Sequence, residues 1–276
     1  MKKIILGIFV ILSACTNKKQ TENNESYEKK ISDFNIQFER TFQYEYNFGE
    51  VDETTKFLIE ENVFNKKGKL INQETFHKSE YLKKYDLKKT FVYDSTGNHI
   101  KTININNEGV KSLIINKYIK NNNTERLFFS NENKLTGKAV YKYDKNNNLI
   151  ELISYEKDGK INYKEFYKYN SKNEIIETKT YNEDGEIDEY SIYLKPEQNK
   201  TEIQSLDKNR ELKSKYTSIT NSKNLVTETI YFNDNKETRT VYKYDENDFL
   251  IESLEYDNNK EPKLLTKTER IKFTEK

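Results

Sequence analysis

Residues 141–155 read Tyr141-Lys-Tyr143-Asp144-Lys-Asn-Asn-Asn148-Leu149-Ile-Glu-Leu-Ile-Ser-Tyr155. Tyr-Lys-Tyr alternates with period two, which puts both rings on one face of a strand and Lys142 on the other. The Asp and Asn cluster that follows tolerates positive φ at low cost, as tight connections between antiparallel strands require. Leu149 then opens a second run of strand length. The stretch is a β-hairpin, and working outward from it shows that it is one copy of a repeat.

The same turn chemistry recurs at 94–98, 121–123, 170–173, 196–199, 221–224 and 245–248. Measured at the last Asn or Asp of each cluster (98, 123, 148, 173, 199, 224 and 248), the steps are 25, 25, 25, 26, 25 and 24 residues. A second series lies between, at Glu108-Gly109, Asn133-Lys134, Asp158-Gly159, Asp184-Gly185, Lys208-Asn209, Asp234-Asn235 and Asn258-Asn259. Two interleaved series of this regularity define a supersecondary repeat. The strands echo as well: Tyr167-Lys-Tyr169-Asn170 and Tyr242-Lys-Tyr244-Asp245 repeat the quoted triplet, and 175–181 and 250–256 repeat 149–155. These features predict an all-β chain, an extended twisted antiparallel β-meander of about seven two-stranded repeats of about 25 residues over 91–276.

Residues 29–90 are less regular. Phe34, Ile36, Phe38, Phe42, Tyr44, Tyr46 and Phe48 alternate, and Phe64 to Ile71 resembles a degraded first turn. Residues 80–89 suit a short helical insertion. This region reads as the opening of the same sheet, blocking one of its edges. A closed membrane barrel is disfavoured, because the Tyr167 face carries Glu165 and the opposite face carries Lys164 and Lys168.

The Tyr-Asp octets at 93–100, 143–150 and 244–251 resemble the Tyr-Asp repeats of the RHS family. That resemblance implies a long, spiralling open sheet over roughly residues 90–260. The family's encapsulating role does not carry over, since the chain is too short to enclose a toxin module.

Composition agrees with a folded, solvated β protein. Lys+Arg 47 against Asp+Glu 46 leaves a net charge of +1, with Tyr 21 and Phe 15 supplying apolar bulk in a chain of 276 residues. The mean hydropathy is −1.02. Without a basic excess, nucleic acid is not an expected partner.

Lys2 and Lys3 precede an apolar run, Ile4 to Leu12, too short to span a bilayer and suited to a secretory signal. The run ends in Leu12-Ser13-Ala14-Cys15, which resembles the lipobox of bacterial lipoprotein precursors. The resemblance implies a signal peptide over 1–14, lipidation (palmitate included) of Cys15, and a flexible tether over 15–28. Thr16, not Asp, follows the cysteine, which implies an outer-membrane anchor facing the periplasm where two membranes exist. Cys15 is the sole cysteine, so no intrachain disulfide forms.

No catalytic constellation is legible. His77 and His99 stand in unrelated contexts and read as surface residues, and Asp144-x-Asn146-x-Asn148 lacks the Gly and Glu of a calcium loop. No metal or cofactor is expected. The rings that a ligand would meet are Tyr141, Tyr143, Tyr167, Tyr169, Tyr242 and Tyr244, although a chain with so little else to bury favours reading them as core. The expected function is a lipid-anchored, non-enzymatic envelope protein, a scaffold or binding surface for a glycan or an envelope protein. An immunity or inhibitor lipoprotein against a secreted toxin, and an envelope hydrolase with a carboxylate site, are the alternatives.

Overall fold

The computed structural model describes residues 26–47, 49–77 and 86–274. Cys15, the signal segment and most of the expected tether and helical insertion lie outside the described residues. A helix, α1, covers 26–33. Eighteen strands follow. They are β1 (Ile36–Asn47), β2 (Glu50–Phe64), β3 (Leu70–Thr75), β4 (Leu87–Tyr93), β5 (His99–Asn106), β6 (Lys111–Ile119), β7 (Asn122–Phe129), β8 (Leu135–Tyr143) and β9 (Leu149–Glu156). After them come β10 (Ile161–Tyr169), β11 (Ile175–Tyr181), β12 (Ile187–Glu197), β13 (Lys200–Leu206), β14 (Leu212–Thr220), β15 (Val226–Asn233), β16 (Lys236–Tyr244), β17 (Leu250–Tyr256) and β18 (Pro262–Lys272).

Each strand pairs antiparallel with the next, and β1 pairs with both β2 and β18. The β1–β18 ladder runs from Ile36↔Lys272 to Glu45↔Leu264, so the meander closes into an 18-stranded barrel. This corrects the expectation of an open sheet. Residues 29–90 do not guard an edge; they complete the circumference, and closure leaves no edge to guard.

The same finding overturns the RHS resemblance, which rested on turn chemistry. In the quoted hairpin, Asp144 N–H donates to the Asn148 carbonyl (2.9 Å), and Asp144 Oδ1 accepts from the backbone N–H groups of Asn146 and Asn148 (both 2.8 Å). Asn147 takes φ 63°, the place that Gly97 holds at φ 91° in the turn 94–98. An Asx cap followed by one left-handed residue is a general solution for a five-residue hairpin loop. It specifies a turn, and it is compatible with an open or a closed sheet.

The two turn series mark opposite rims. The first rim holds the turns around 65–69, 94–98, 144–148, 170–174, 221–225 and 245–249, and α1 packs there. Ile31 is fully buried among Ile36, Phe64 and Phe249, while Ser32 Oγ donates to the Lys66 carbonyl (2.8 Å) and Lys30 Nζ lies 4.2 Å from the Phe249 ring. A second cluster, Leu149, Leu152 and Tyr167, lies on β9 and β10.

Period-two alternation sorts the rest. One face carries cross-strand ion pairs: Lys88–Glu74 (2.6 Å), Lys117–Glu125 (2.5 Å), Lys142–Glu151 (2.5 Å), Arg239–Glu228 (2.8 Å) and Lys243–Glu252 (2.5 Å). The cations of these pairs are 37–66% exposed and their carboxylates 16–25%, so the cationic heads reach water and the pairs form the outer wall. The other face is enclosed. It carries Asn116, Glu165 and Tyr167, and a row of directly paired residues, Thr178↔Ser191↔Ser205↔Ser214, all buried. Among the described residues, substantial packing between strands occurs only between ladder neighbours. The barrel is therefore a single-layer wall, and eighteen strands at about 4.8 Å spacing give it a diameter of roughly 30 Å.

Candidate ligand site on the inner wall

Strands β4 to β7 bring eight residues around one inward-facing cleft of ≈ 200 Å³: Lys89, Phe91, His99, Thr102, Asn104, Ile114, Asn116 and Arg126. Each arrives by alternation from a strand whose neighbouring residues, such as Lys88, Lys117 and Glu125, point to the outer ion pairs.

Asn116 organises the cleft. It is almost completely buried; its Nδ2 donates to the His99 carbonyl (2.8 Å) and its Oδ1 accepts from Arg126 Nε (2.9 Å). Arg126 is thereby held by one edge, 6.0 Å from the Tyr141 ring centroid. No carboxylate pairs with Arg126 or with Lys89 among the described residues; Lys89 Nζ donates to Gln73 Oε1 (3.1 Å). Burial raises the hydroxyl pKa of Tyr118 and Tyr141, and the charge of Arg126 offsets part of that rise. Burial pushes Tyr163 up to about 12.

His99 is not a surface residue. It is half-buried between Phe91 and Tyr93, at ring centroid distances of 5.4 and 5.6 Å, and its Nε2 lies 2.8 Å from Thr102 Oγ1 and 3.0 Å from the Lys101 carbonyl. Burial, and then the nearby Arg126, lower its pKa, so the ring is neutral at pH 7. His77 is 82% exposed and pairs with Asp86.

Further along the same wall, Glu165 is 3% exposed. Its Oε2 accepts from Tyr167 OH (2.6 Å) and its Oε1 is buried without a partner. Burial raises the Glu165 pKa, and the Glu189 charge raises it further.

All six tyrosines singled out in the sequence lie on the inner wall, where several act as latches. Tyr143 OH donates to the Asn123 carbonyl (2.8 Å), Tyr169 OH to Leu149 (2.7 Å) and Tyr244 OH to Val226 (2.7 Å), each reaching the backbone of the preceding strand. Tyr93 and Tyr118 do the same to Leu70 (2.9 Å) and His99 (3.0 Å), and in β18 Arg270 reaches the Leu250 carbonyl (2.9 Å). Tyr141, Tyr167 and Tyr169 pack with Leu149 and Leu152, and Tyr242 OH meets Thr229 Oγ1 (3.0 Å). Only Tyr141 adjoins the cleft, through Arg126. Lys89, Asn116 and Arg126 escaped the sequence reading because repeats direct attention to what recurs. The signal was a break in the pattern: β7 places Arg126 on the face where β9 and β11 place Leu152 and Thr178.

The fold and site define an up-and-down barrel of 18 strands with a polar outer wall and a cationic, aromatic cleft inside. No protein-family model matches the sequence, neither of Tyr-Asp repeats nor of lipoproteins, and no curated protein does. Among solved structures, a porin-like protein from Bacteroides uniformis is similar at 9% identity and TM-score 0.47, covering 86% of this chain and 97% of that one. A porin-like protein from Bacteroides vulgatus is similar at 8% identity and TM-score 0.34, covering 84% and 98%. A DUF1329 family protein from Desulfovibrio piger is similar at 7% identity and TM-score 0.21, covering 92% of each chain. At such scores the correspondence is loose, and the fold assignment rests on the strand pairing itself.

Proposed function

We propose that this chain is a non-enzymatic envelope barrel that works in water, tethered through Cys15, and that it binds a ligand inside rather than spanning a bilayer. The outer wall carries the argument. A membrane barrel needs an apolar outer band about 25 Å tall, built from strands of about 9–11 residues. Strand length alone does not decide, since β9, β11, β15 and β17 have 8, 7, 8 and 7 residues and β8, β10, β14 and β16 have 9 each; the chemistry of the outward positions does. Ion pairs such as Lys142–Glu151 and Lys243–Glu252 occupy outward positions beside the first rim, which leaves one or two apolar positions per strand between charged ends. That band is roughly 10 Å tall at 3.3 Å per residue.

The inner cleft supplies a binding role. Its eight lining residues include no carboxylate, so an acid–base pair for glycoside hydrolysis is missing there, which favours binding over hydrolysis.

Two fractionation results test the proposal. The wild-type chain should partition with membranes, and Cys15→Ser should appear in the soluble fraction, monodisperse without detergent. Cys15→Ser protein that still requires detergent would mean that the barrel wall itself is embedded.

A further inference from the structure

We propose that the β4–β7 cleft binds a small amphipathic anion, a carboxylate or phosphate monoester carrying one flat apolar group. The inference rests on the reading of the inner wall as a ligand site and names its ligand class.

Four observations converge on it. First, Arg126 is anchored at Nε by the buried Asn116 Oδ1, which leaves the two terminal amino groups without a protein acceptor among the described residues. A guanidinium held by one edge presents its end as a preorganised fork for two oxygens of an anion. Second, Lys89 lines the same cleft with an amide, not a carboxylate, as its partner. Third, Thr102, Asn104 and Asn116 add neutral polar groups that orient a ligand without repelling an anion, and the neutral ring of His99 adds no charge of either sign. Fourth, Phe91 and Ile114 give the cleft an apolar side, and Phe91 already packs edge-on against His99. Tyr118, Tyr141 and Tyr163 stay protonated at neutral pH, and Glu165 is biased toward protonation by burial, so these four groups add little negative charge beside the cleft.

The arrangement contrasts with the outer wall, where Lys88, Lys117, Lys142, Arg239 and Lys243 each have a carboxylate on the neighbouring strand. Lys142 and Glu151 neutralise one another at 2.5 Å, whereas Arg126 and Lys89 face a cleft of ≈ 200 Å³, room for a single ring with its acidic group.

The test is calorimetric titration of the Cys15→Ser chain with four probes: benzoate, phenyl phosphate, benzyl alcohol and inorganic phosphate. Saturable binding of at least one aromatic anion is expected, with benzyl alcohol and inorganic phosphate each at least about tenfold weaker. Arg126→Gln should weaken the aromatic anion at least about tenfold and Lys89→Gln about three- to tenfold, while Lys142→Gln on the outer wall leaves affinity unchanged. Circular dichroism checks the fold of each variant. Should Arg126→Gln fail to fold, Lys89→Gln and the four-probe comparison on the parent chain decide. The proposal is overturned if no aromatic anion binds, if benzyl alcohol binds as well as benzoate, if inorganic phosphate matches phenyl phosphate, or if the folded inner-wall variants bind as the parent does. These failures concern the ligand alone and leave the fractionation result standing.

Discussion

At Glu165 the wall holds a carboxyl group out of water with one oxygen bonded to Tyr167 and the other unpartnered. Burial raises its folded pKa above the unfolded value, so between the two values the folded chain binds more protons than the unfolded one. Stability therefore falls as pH rises from the ordinary carboxylate range through the folded pKa, and the penalty is complete above it. Glu165→Gln removes that slope while keeping an acceptor for Tyr167. The melting temperature of Glu165→Gln minus that of the parent should grow by a few degrees between pH 4 and pH 8, since about 2–4 °C corresponds to 1 kcal/mol at this size. A difference independent of pH would show that Glu165 ionises freely. At this scale the sequence was partly legible. That Tyr141 and Tyr143 share a face, as do Tyr167 and Tyr169, follows from alternation, but the hydroxyl latches of Tyr143, Tyr169 and Tyr244 reach the backbone of the preceding strand 18 to 20 residues away, and no local pattern reports them.

Hairpins were the most legible elements, because an Asx-capped loop and its flanking alternation are written within about a dozen residues. Helix α1 was not, since Ser26 to Asp33 lack a long amphipathic run and are helical through docking on the first rim. Gly68 records that docking: it takes φ +76°, and a Cβ there would overlap the backbone carbonyl of Glu28. Gly97 takes φ +91° in the equivalent turn but meets only the Lys69 side chain. Gly97→Ala should thus cost about 1–2 kcal/mol from backbone conformation alone. Gly68→Ala should cost more and also release α1, read as lost hydrogen-exchange protection over 26–33. Equal destabilisation with protection retained would mean that the helix does not rest on this turn.

Closure is the property of the whole molecule. Thr41 in β1 and Thr268 in β18 face each other across 227 residues of chain, with hydroxyl oxygens 3.5 Å apart. Cysteines there are within reach of a disulfide. In the Cys15→Ser background, Thr41→Cys/Thr268→Cys should oxidise as completely as Ser253→Cys/Thr266→Cys, a neighbouring pair inside one hairpin with oxygens 2.6 Å apart. An open sheet forms the second cross-link and not the first, which gel mobility distinguishes. Strand length, alternation and turn position were determined by the sequence alone, because each depends on interactions among residues close in the chain. Alternation is symmetric, however, and says only that two faces differ. Which face becomes the inside, and that Lys89, Asn116 and Arg126 meet there, was decided by the curvature of the closed sheet and by registers set between strands. Those quantities exist only once β18 has bonded to β1.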